Sequence, residues 1–333
     1  MGKKKNRLKV EEYVQGILNG DIVTLSRAIT LVESSLSKDN DLSQQVIEQI
    51  LPNTGKSIRV GITGVPGVGK STFIESLGTQ ITELGKKLAV LAIDPTSQKT
   101  RGSIMGDKTR MESLAHNPLA YIRPSASGDT LGGVANKTRE VILLCEAAGY
   151  EVIFIETVGV GQSEIAVKGM VDFFLLLMLA GAGDELQGIK KGIMEMADGV
   201  VITKADGDNV RAAKLARVEY QNALHLLAQS ESGWSPQVLT CSSMDNNGLS
   251  DVWKMIISHQ KHLKEKGLFD FFRKSQNVNW MHHMIEEKLK RDFYQNEEVQ
   301  QKLAEISTQV ENANISPSQA VAELLQTFCN KSN

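Results

Sequence analysis

The chain has 333 residues, 41% of them hydrophobic, enough to bury a substantial core in one large domain with appendages. Its 37 Lys plus Arg balance 39 Asp plus Glu at a formal charge of −2, so no global charge bias points to nucleic acid or to a membrane surface. The three cysteines, Cys145, Cys241 and Cys329, are far apart and odd in number, which argues against a disulfide framework and for a reducing, cytoplasmic setting.

The basic start MGKKKNRLK runs into Glu11 and Glu12 instead of an apolar stretch, and is expected to be a solvated tail, neither signal peptide nor myristoylation site. Residues 10 to 51 place Val14, Ile17, Leu18, Leu25, Ala28, Ile29, Val32, Val46, Ile47 and Ile50 at helical spacing, which predicts short helices packed on another layer. From about 56 to 260 the pattern becomes six apolar runs of strand length: SIRVGIT, LAVLAID, EVIFIE, DFFLLLML, GVVIT and PQVLTCS. Amphipathic stretches long enough for crossover helices separate them, so a mainly parallel sheet covered on both faces is expected. The run from Phe173 to Leu179 is too short to span a bilayer and reads as a core strand. Beyond about 262 the chain is polar and helical, and Ser316 with Pro317 opens a last helix whose Ala320, Leu324, Leu325 and Phe328 share a face. The expected parts are an N-terminal helical extension (1–55), a P-loop α/β domain (56–261) and a C-terminal helical arm (262–333).

The run Gly64, Val65, Pro66, Gly67, Val68, Gly69, Lys70, Ser71 follows a strand and precedes a helix, satisfying G-x-x-x-x-G-K-[ST] in the context that motif needs. Such a loop converges backbone N–H groups on phosphate oxygens at a helix N-terminus, with Thr72 in the first turn. Lys70 reaches the outer phosphates, and the Ser71 hydroxyl ligates Mg²⁺. Further oxygen ligands should stand at the carboxyl ends of neighbouring strands, where Asp94 and Glu156 directly follow apolar runs. Asp107 lies in the following loop, where a carboxylate also serves as a helix cap or a surface charge. The segment from Ser97 to Arg110, with Lys99, Arg101, Lys108, Gly102 and Gly106, suits a mobile stretch approaching a γ-phosphate. Gly159 follows Glu156 in IETVGVGQSE and can turn an N–H toward the same phosphate.

After the run GVVIT comes Lys204-Ala205-Asp206, which lays a lysine stem along a base and offers a carboxylate to the N1–H and N2–H of guanine, donors that adenine lacks. Asn136-Lys137-Thr138-Arg139 lacks the aspartate and reads as the start of the helix leading to Cys145. Ser242 and Ser243 close another strand where a base-lining loop belongs. The pairs His259/His262 and His282/His283 read as solvated or interfacial helix faces, and with no C-x-x-C or His/Cys cluster near residues 64 to 110 a metal-delivery role is not indicated.

The order GVPGVGKS, AIDPTS, ETVGVGQSE, GAGDELQGIKKG and TKAD resembles the MeaB/ArgK family of P-loop GTPases over nearly the whole chain. The resemblance implies GTP/GDP and Mg²⁺ as ligands, with phosphate and metal roles for Lys70 and Ser71. It implies metal-linked or switch roles for Asp94, Asp107 and Glu156, and guanine recognition by Lys204 and Asp206. It also implies a second moving segment at Gly181 to Lys191, a homodimer through the arm from about 262, and a chaperone role toward methylmalonyl-CoA mutase or another adenosylcobalamin-dependent mutase. Two positions depart from the pattern: Thr203 stands where Asn usually precedes Lys-x-Asp, removing an amide that would contact the base and brace the P-loop, and Ala180 stands where Pro is common. Val160 occupies the place of the water-positioning glutamine of Ras-like proteins, so slow intrinsic hydrolysis is expected, with Gln162, Arg101 or Arg110 as the groups a partner brings into place. An ArgK-like kinase acting on an amino-acid transport protein is the alternative; the guanine-selective pair argues against it.

Overall fold

The computed structural model describes residues 7–34, 36–93, 111–123, 131–157, 163–181, 191–226 and 232–329. Three helices come first, α1 (Val10–Leu18), α2 (Ile22–Val32) and α3 (Ser37–Ile50), and the Asp21 carboxylate caps α2 by accepting from the amides of Val23 and Thr24. Then strands alternate with helices: β1 (Ile58–Gly64), α4 (Lys70–Glu83), β2 (Leu88–Ile93), α5 (Glu112–Ala115), β3 (Ala120–Arg123), α6 (Leu131–Ala147), β4 (Val152–Thr157) and α7 (Ser163–Lys168). The alternation continues with β5 (Phe173–Met178), α8 (Lys191–Met196), β6 (Gly199–Ile202), α9 (Val210–His225), β7 (Gln237–Thr240) and α10 (Leu249–Glu265). Last come α11 (Leu268–Gln295), α12 (Glu297–Glu311) and α13 (Pro317–Cys329).

Among the described residues seven strands, all parallel, form one sheet in the order β3-β2-β4-β1-β5-β6-β7. The apolar runs predicted six of these. The seventh, β3, is the short AYIR at one edge of the sheet, too short an apolar run to read as a strand, with Tyr121 alone of its four residues buried. At the centre, Val60 of β1 stands in register with Phe154 of β4 on one side and Phe173 of β5 on the other, all fully buried. Covered on both faces, these strands read as unbroken hydrophobic stretches. Tyr13, Ile17, Leu25, Ile29 and Ile50 of the first three helices join the same core. No described helix is long and apolar enough to cross a membrane.

The chain divides into two compact units, Met1–Arg273 and Lys274–Asn333. In the second, Val299, Ile306, Ala320 and Leu324 form a small core that Phe293, Leu303 and Phe328 flank. The Ser316 hydroxyl accepts from the Gln319 amide at the start of α13, but Leu325 turns to solvent instead of sharing the buried face. His259 also departs from expectation. Rather than lying on a solvated face it is buried, edge-on to Phe173 and Trp234 and 3.9 Å from Asp198, and burial lowers its pKa.

A buried ion network ties the amino-terminal edge of the sheet. Glu146 of α6 accepts from the Arg59 guanidinium through Nε and Nη2, both at 2.9 Å, from the Ser57 hydroxyl at 2.5 Å and from the Gly55 amide at 2.7 Å. Arg273, in the second turn of α11, donates to Asp172 through Nε and Nη2 and to the carbonyls of Gly55 and Ser57. Burial pushes the Glu146 carboxyl up, but the Arg59 pair and the Ser57 and Gly55 bonds outweigh it and hold the pKa below the ordinary 4.5. A depressed folded-state value means stability present above the unfolded pKa and lost as pH falls through the folded one. Arg59→Ala strands a buried carboxylate, and a destabilisation of roughly 3–5 kcal/mol is expected from denaturant midpoints at pH 7. The gap to wild type should narrow as the pH drops below about 4.5.

Candidate functional site

Because β4 and β5 flank β1, the carboxyl end of β1 lies at the centre of the sheet, where the crossovers diverge and ligands of open α/β sheets bind. The chain leaves the sheet through a close approach: a Cβ on Gly64 would lie 2.5 Å from the Leu177 carbonyl oxygen, so no side chain fits. It enters α4 at Gly69, whose φ of +89° suits glycine. Val65 and Val68 are buried and pin the loop, Pro66 and Gly67 are exposed, and nothing lies within 4 Å of a Cβ built on Gly67. The cradle is therefore open where an oxyanion must approach the backbone.

Lys70 Nζ donates to the carbonyl of Gly64 at 2.9 Å and of Val65 at 3.5 Å. Burial lowers its pKa, and the Glu156 and Glu164 carboxylates pull it back up. Ser71 Oγ donates to Glu156 Oε1 at 3.3 Å, with Thr72 exposed beside it. Glu156, in register with Ile62 of β1 and Ala92 of β2, is buried. One hydroxyl and one carboxylate at a phosphate cradle make an all-oxygen, partial donor set. That set fits Mg²⁺, which keeps several waters and takes phosphate oxygens. Asp94, Asp107, Gln162, Gly159 and Val160, the loop from Ser97 to Arg110, and residues 182–190 of the second moving segment lie outside the described residues.

The predicted base-side residues converge. Asp206 Oδ2 accepts from the Ser242 hydroxyl at 2.6 Å, which orients the carboxylate and leaves it acceptor capacity, since an ionised carboxylate has about four lone-pair sites. Lys204 holds φ +54°, with its carbonyl accepting from Asn209 Nδ2 at 2.6 Å, and its Cε comes within 4.0 Å of a Cβ built on Gly69. The lysine stem thus spans from the end of β6 to the phosphate loop. Ser243 contributes its carbonyl, accepting from Ser76 Oγ on α4 at 3.1 Å. Asn136 to Arg139 lie within α6, as their missing aspartate suggested.

Two features exceed the sequence reading. Thr203 does not leave the loop unbraced: its hydroxyl donates to the Val68 carbonyl at 2.8 Å, a shorter donor doing at the loop what the asparagine amide would have done. Glu164, on the one-turn-and-a-half α7, is fully buried, with Oε1 3.5 Å from Thr63 Oγ1, which itself accepts from Thr157 Oγ1 at 2.8 Å. This chain joins β1, β4 and α7 behind the cradle. Its only trace in the sequence is a second carboxylate in the same glycine-rich stretch, and a local pattern does not show that the carboxylate turns inward.

The family model described as methylmalonyl Co-A mutase-associated GTPase MeaB matches residues 25–298. The chain is 44% identical to GTPase ArgK of Escherichia coli over 96% of each chain. It is 42% identical to the mitochondrial methylmalonic aciduria type A homolog of Mus musculus, over 97% of this chain and 80% of that one. Among solved structures, that of a LAO/AO transport system kinase matches with a TM-score of 0.77 and 38% identity, over 96% of this chain and 98% of that one.

Thr203→Val removes the donor and leaves the buried Val68 carbonyl short of a partner, so urea midpoints should show a loss of about 1–3 kcal/mol. Thr203→Ser, which keeps the hydroxyl, should retain most of the stability.

Proposed function

The chain belongs to the MeaB family of methylmalonyl-CoA mutase-associated GTPases, and on that premise we propose that Mg²⁺-dependent GTP hydrolysis at its P-loop gates adenosylcobalamin loading onto, and protection of, methylmalonyl-CoA mutase or a related acyl-CoA mutase. The observation that carries the nucleotide assignment is the pairing of Asp206 with Ser242 beside a lysine stem that reaches the phosphate loop. Asp206 receives the two guanine donors, Lys204 covers the base, and Ser242 fixes the carboxylate. Lys70 exchanges the carbonyls of Gly64 and Val65 for the outer phosphates, while the amides of the cradle hold the non-bridging oxygens. Ser71, Glu156, Asp94 and Asp107 would hold Mg²⁺, directly or through water. Bound Mg²⁺ supplies charge neutralisation across the β- and γ-phosphates. Gln162 is the residue we assign to orienting the attacking water once a partner docks, since valine follows the first switch glycine.

The mutase as partner draws its support from the family description and from the name of the mouse relative. The reading keeps residues 1–55 and 56–261 as docking and nucleotide parts of a cytoplasmic protein, and places the dimer part of 262–333 in the unit after Arg273. On α11, Val278, Met281, Met284, Ile285 and Leu289 are all exposed and recur at helical spacing, which suits a homodimer seam. The kinase reading takes its support from the solved transport-system kinase and predicts ATP preference.

Single-turnover assays test the proposal. GTP hydrolysis by the isolated protein is expected to be slow and to rise at least tenfold with methylmalonyl-CoA mutase; fast hydrolysis alone, or no response to the mutase, would refute the gating role. Asp206→Asn should weaken GTP binding by about tenfold to a hundredfold with little change for ATP, whereas tighter ATP than GTP binding by the wild type would favour the kinase. In light scattering, Met281→Glu with Ile285→Glu is expected to convert a dimer into a monomer; a wild type already monomeric at micromolar concentration would remove the seam.

A further inference from the structure

Hydroxyl groups join the carboxyl ends of β1 and β4. The register of these strands runs from Ile58 against Val152 to Ile62 against Glu156, and one residue beyond it Thr157 Oγ1 donates to Thr63 Oγ1 at 2.8 Å. Thr63 Oγ1 in turn donates to Glu164 Oε1 of α7 at 3.5 Å, and all three side chains are buried. An ionised carboxylate only accepts, and each hydroxyl has one proton to give, so Glu164 sets the direction in which the chain of donors runs.

On the rest of β4, Val152 to Ile155 are apolar and buried, and valine has the shape of either threonine. A buried hydroxyl must find a partner to offset its lost hydration, so the paired threonines add little stability over an apolar pair. What they add is a fixed spacing between two strand ends.

Those ends carry the site. Thr63 precedes Gly64, whose carbonyl accepts from Lys70 Nζ at 2.9 Å, and Thr157 follows Glu156, whose Oε1 accepts from Ser71 Oγ at 3.3 Å. Successive side chains of a strand point to opposite faces. Glu156 thus meets α4 on one face, while Thr157 is tied on the other, where α7 packs: a Cβ on Gly61, two residues before Thr63, would lie 2.8 Å from Val167 of α7. The anchor and the working carboxylate stand back to back on one piece of backbone.

We propose that Thr157, tied through Thr63 to Glu164, is a positioning residue that holds Glu156 for Mg²⁺. The inference rests on the metal role assigned to Glu156 above. Its action passes through the backbone that the two residues share, so it bears on the metal and leaves the rest of the nucleotide contacts alone.

The test follows release of a fluorescent, non-hydrolysable GTP analogue from the full chain as free Mg²⁺ is varied. Thr157→Val keeps the side-chain shape and leaves Thr63 its acceptor at Glu164. The Mg²⁺ concentration that half-slows release should rise about tenfold, while the release rate without Mg²⁺ stays at the wild-type value. Thr157→Ala, which drops the hydroxyl without relying on the fit of valine, should shift the midpoint as far, and Thr157→Ser should match wild type. In a Glu156→Gln background, Thr157→Val should add no more than about twofold, because its effect runs through that carboxylate. A Mg²⁺ midpoint unmoved by Glu156→Gln would remove the metal role of Glu156 and the proposal with it. A midpoint that Glu156→Gln moves but neither hydroxyl-free variant moves, an equal shift in Thr157→Ser, or full additivity of the two changes would overturn the proposal alone.

Discussion

Everything at the carboxyl end of the sheet depends on how β1 leaves it. A strand buried on both faces has no free side, so the chain can turn out only where the neighbouring backbone admits it, and at Gly64 the Leu177 carbonyl leaves room for a hydrogen and nothing larger. That close approach fixes where the loop starts, the buried Val65 and Val68 fix where it lies, and the left-handed Gly69 fixes the direction in which α4 departs. Lys70 and Ser71 inherit their positions from these three constraints. The cradle is thus set by packing before any ligand contributes.

Around this frame the polar groups form linked rather than isolated contacts. Thr203 ties the end of β6 to the loop through Val68, while Asp198, just before β6, accepts from Lys168 at the end of α7 and from the Phe174 amide. The same α7 carries Glu164 toward Thr63. The helix α7 and the strand β6 that leads to Lys204 and Asp206 are therefore joined by one ion pair. A low-dielectric interior makes such a chain costly to leave half-satisfied, which favours discrete arrangements over gradual ones.

What could be read from the sequence follows the range of the forces involved. The phosphate loop was legible because its glycines, lysine and serine are contiguous and each answers a local demand. The five inner strands were legible because double-sided burial writes itself as an apolar run, the edge strand β7 because it falls within the run PQVLTCS, and the Ser316–Pro317 cap because it acts within one turn. The edge strand AYIR was not, since three apolar residues ending in an arginine fall short of a strand-length run, and an edge does not demand one. Thr203, Glu164 and His259 were misread or passed over for a single reason: each side chain is explained by a partner 75 or more residues away or by neighbours on other elements, and nothing in the adjacent sequence encodes that partner. Glu146 is the extreme case, a carboxylate in a helix whose job is to neutralise an arginine on a strand.

Arg273 carries one further implication. The arm expected from about 262 begins inside α10, and the helix that follows, α11, lends its second turn to the sheet, because this guanidinium serves Asp172 and the carbonyls of Gly55 and Ser57. The useful cutting point for a minimal nucleotide-binding fragment is therefore after residue 273, inside a continuous helix, where the chain looks least divisible. Cutting at the apparent joint before Leu268 would discard a cation that pairs with the buried Asp172, and the fragment would lose stability for reasons unrelated to the arm itself.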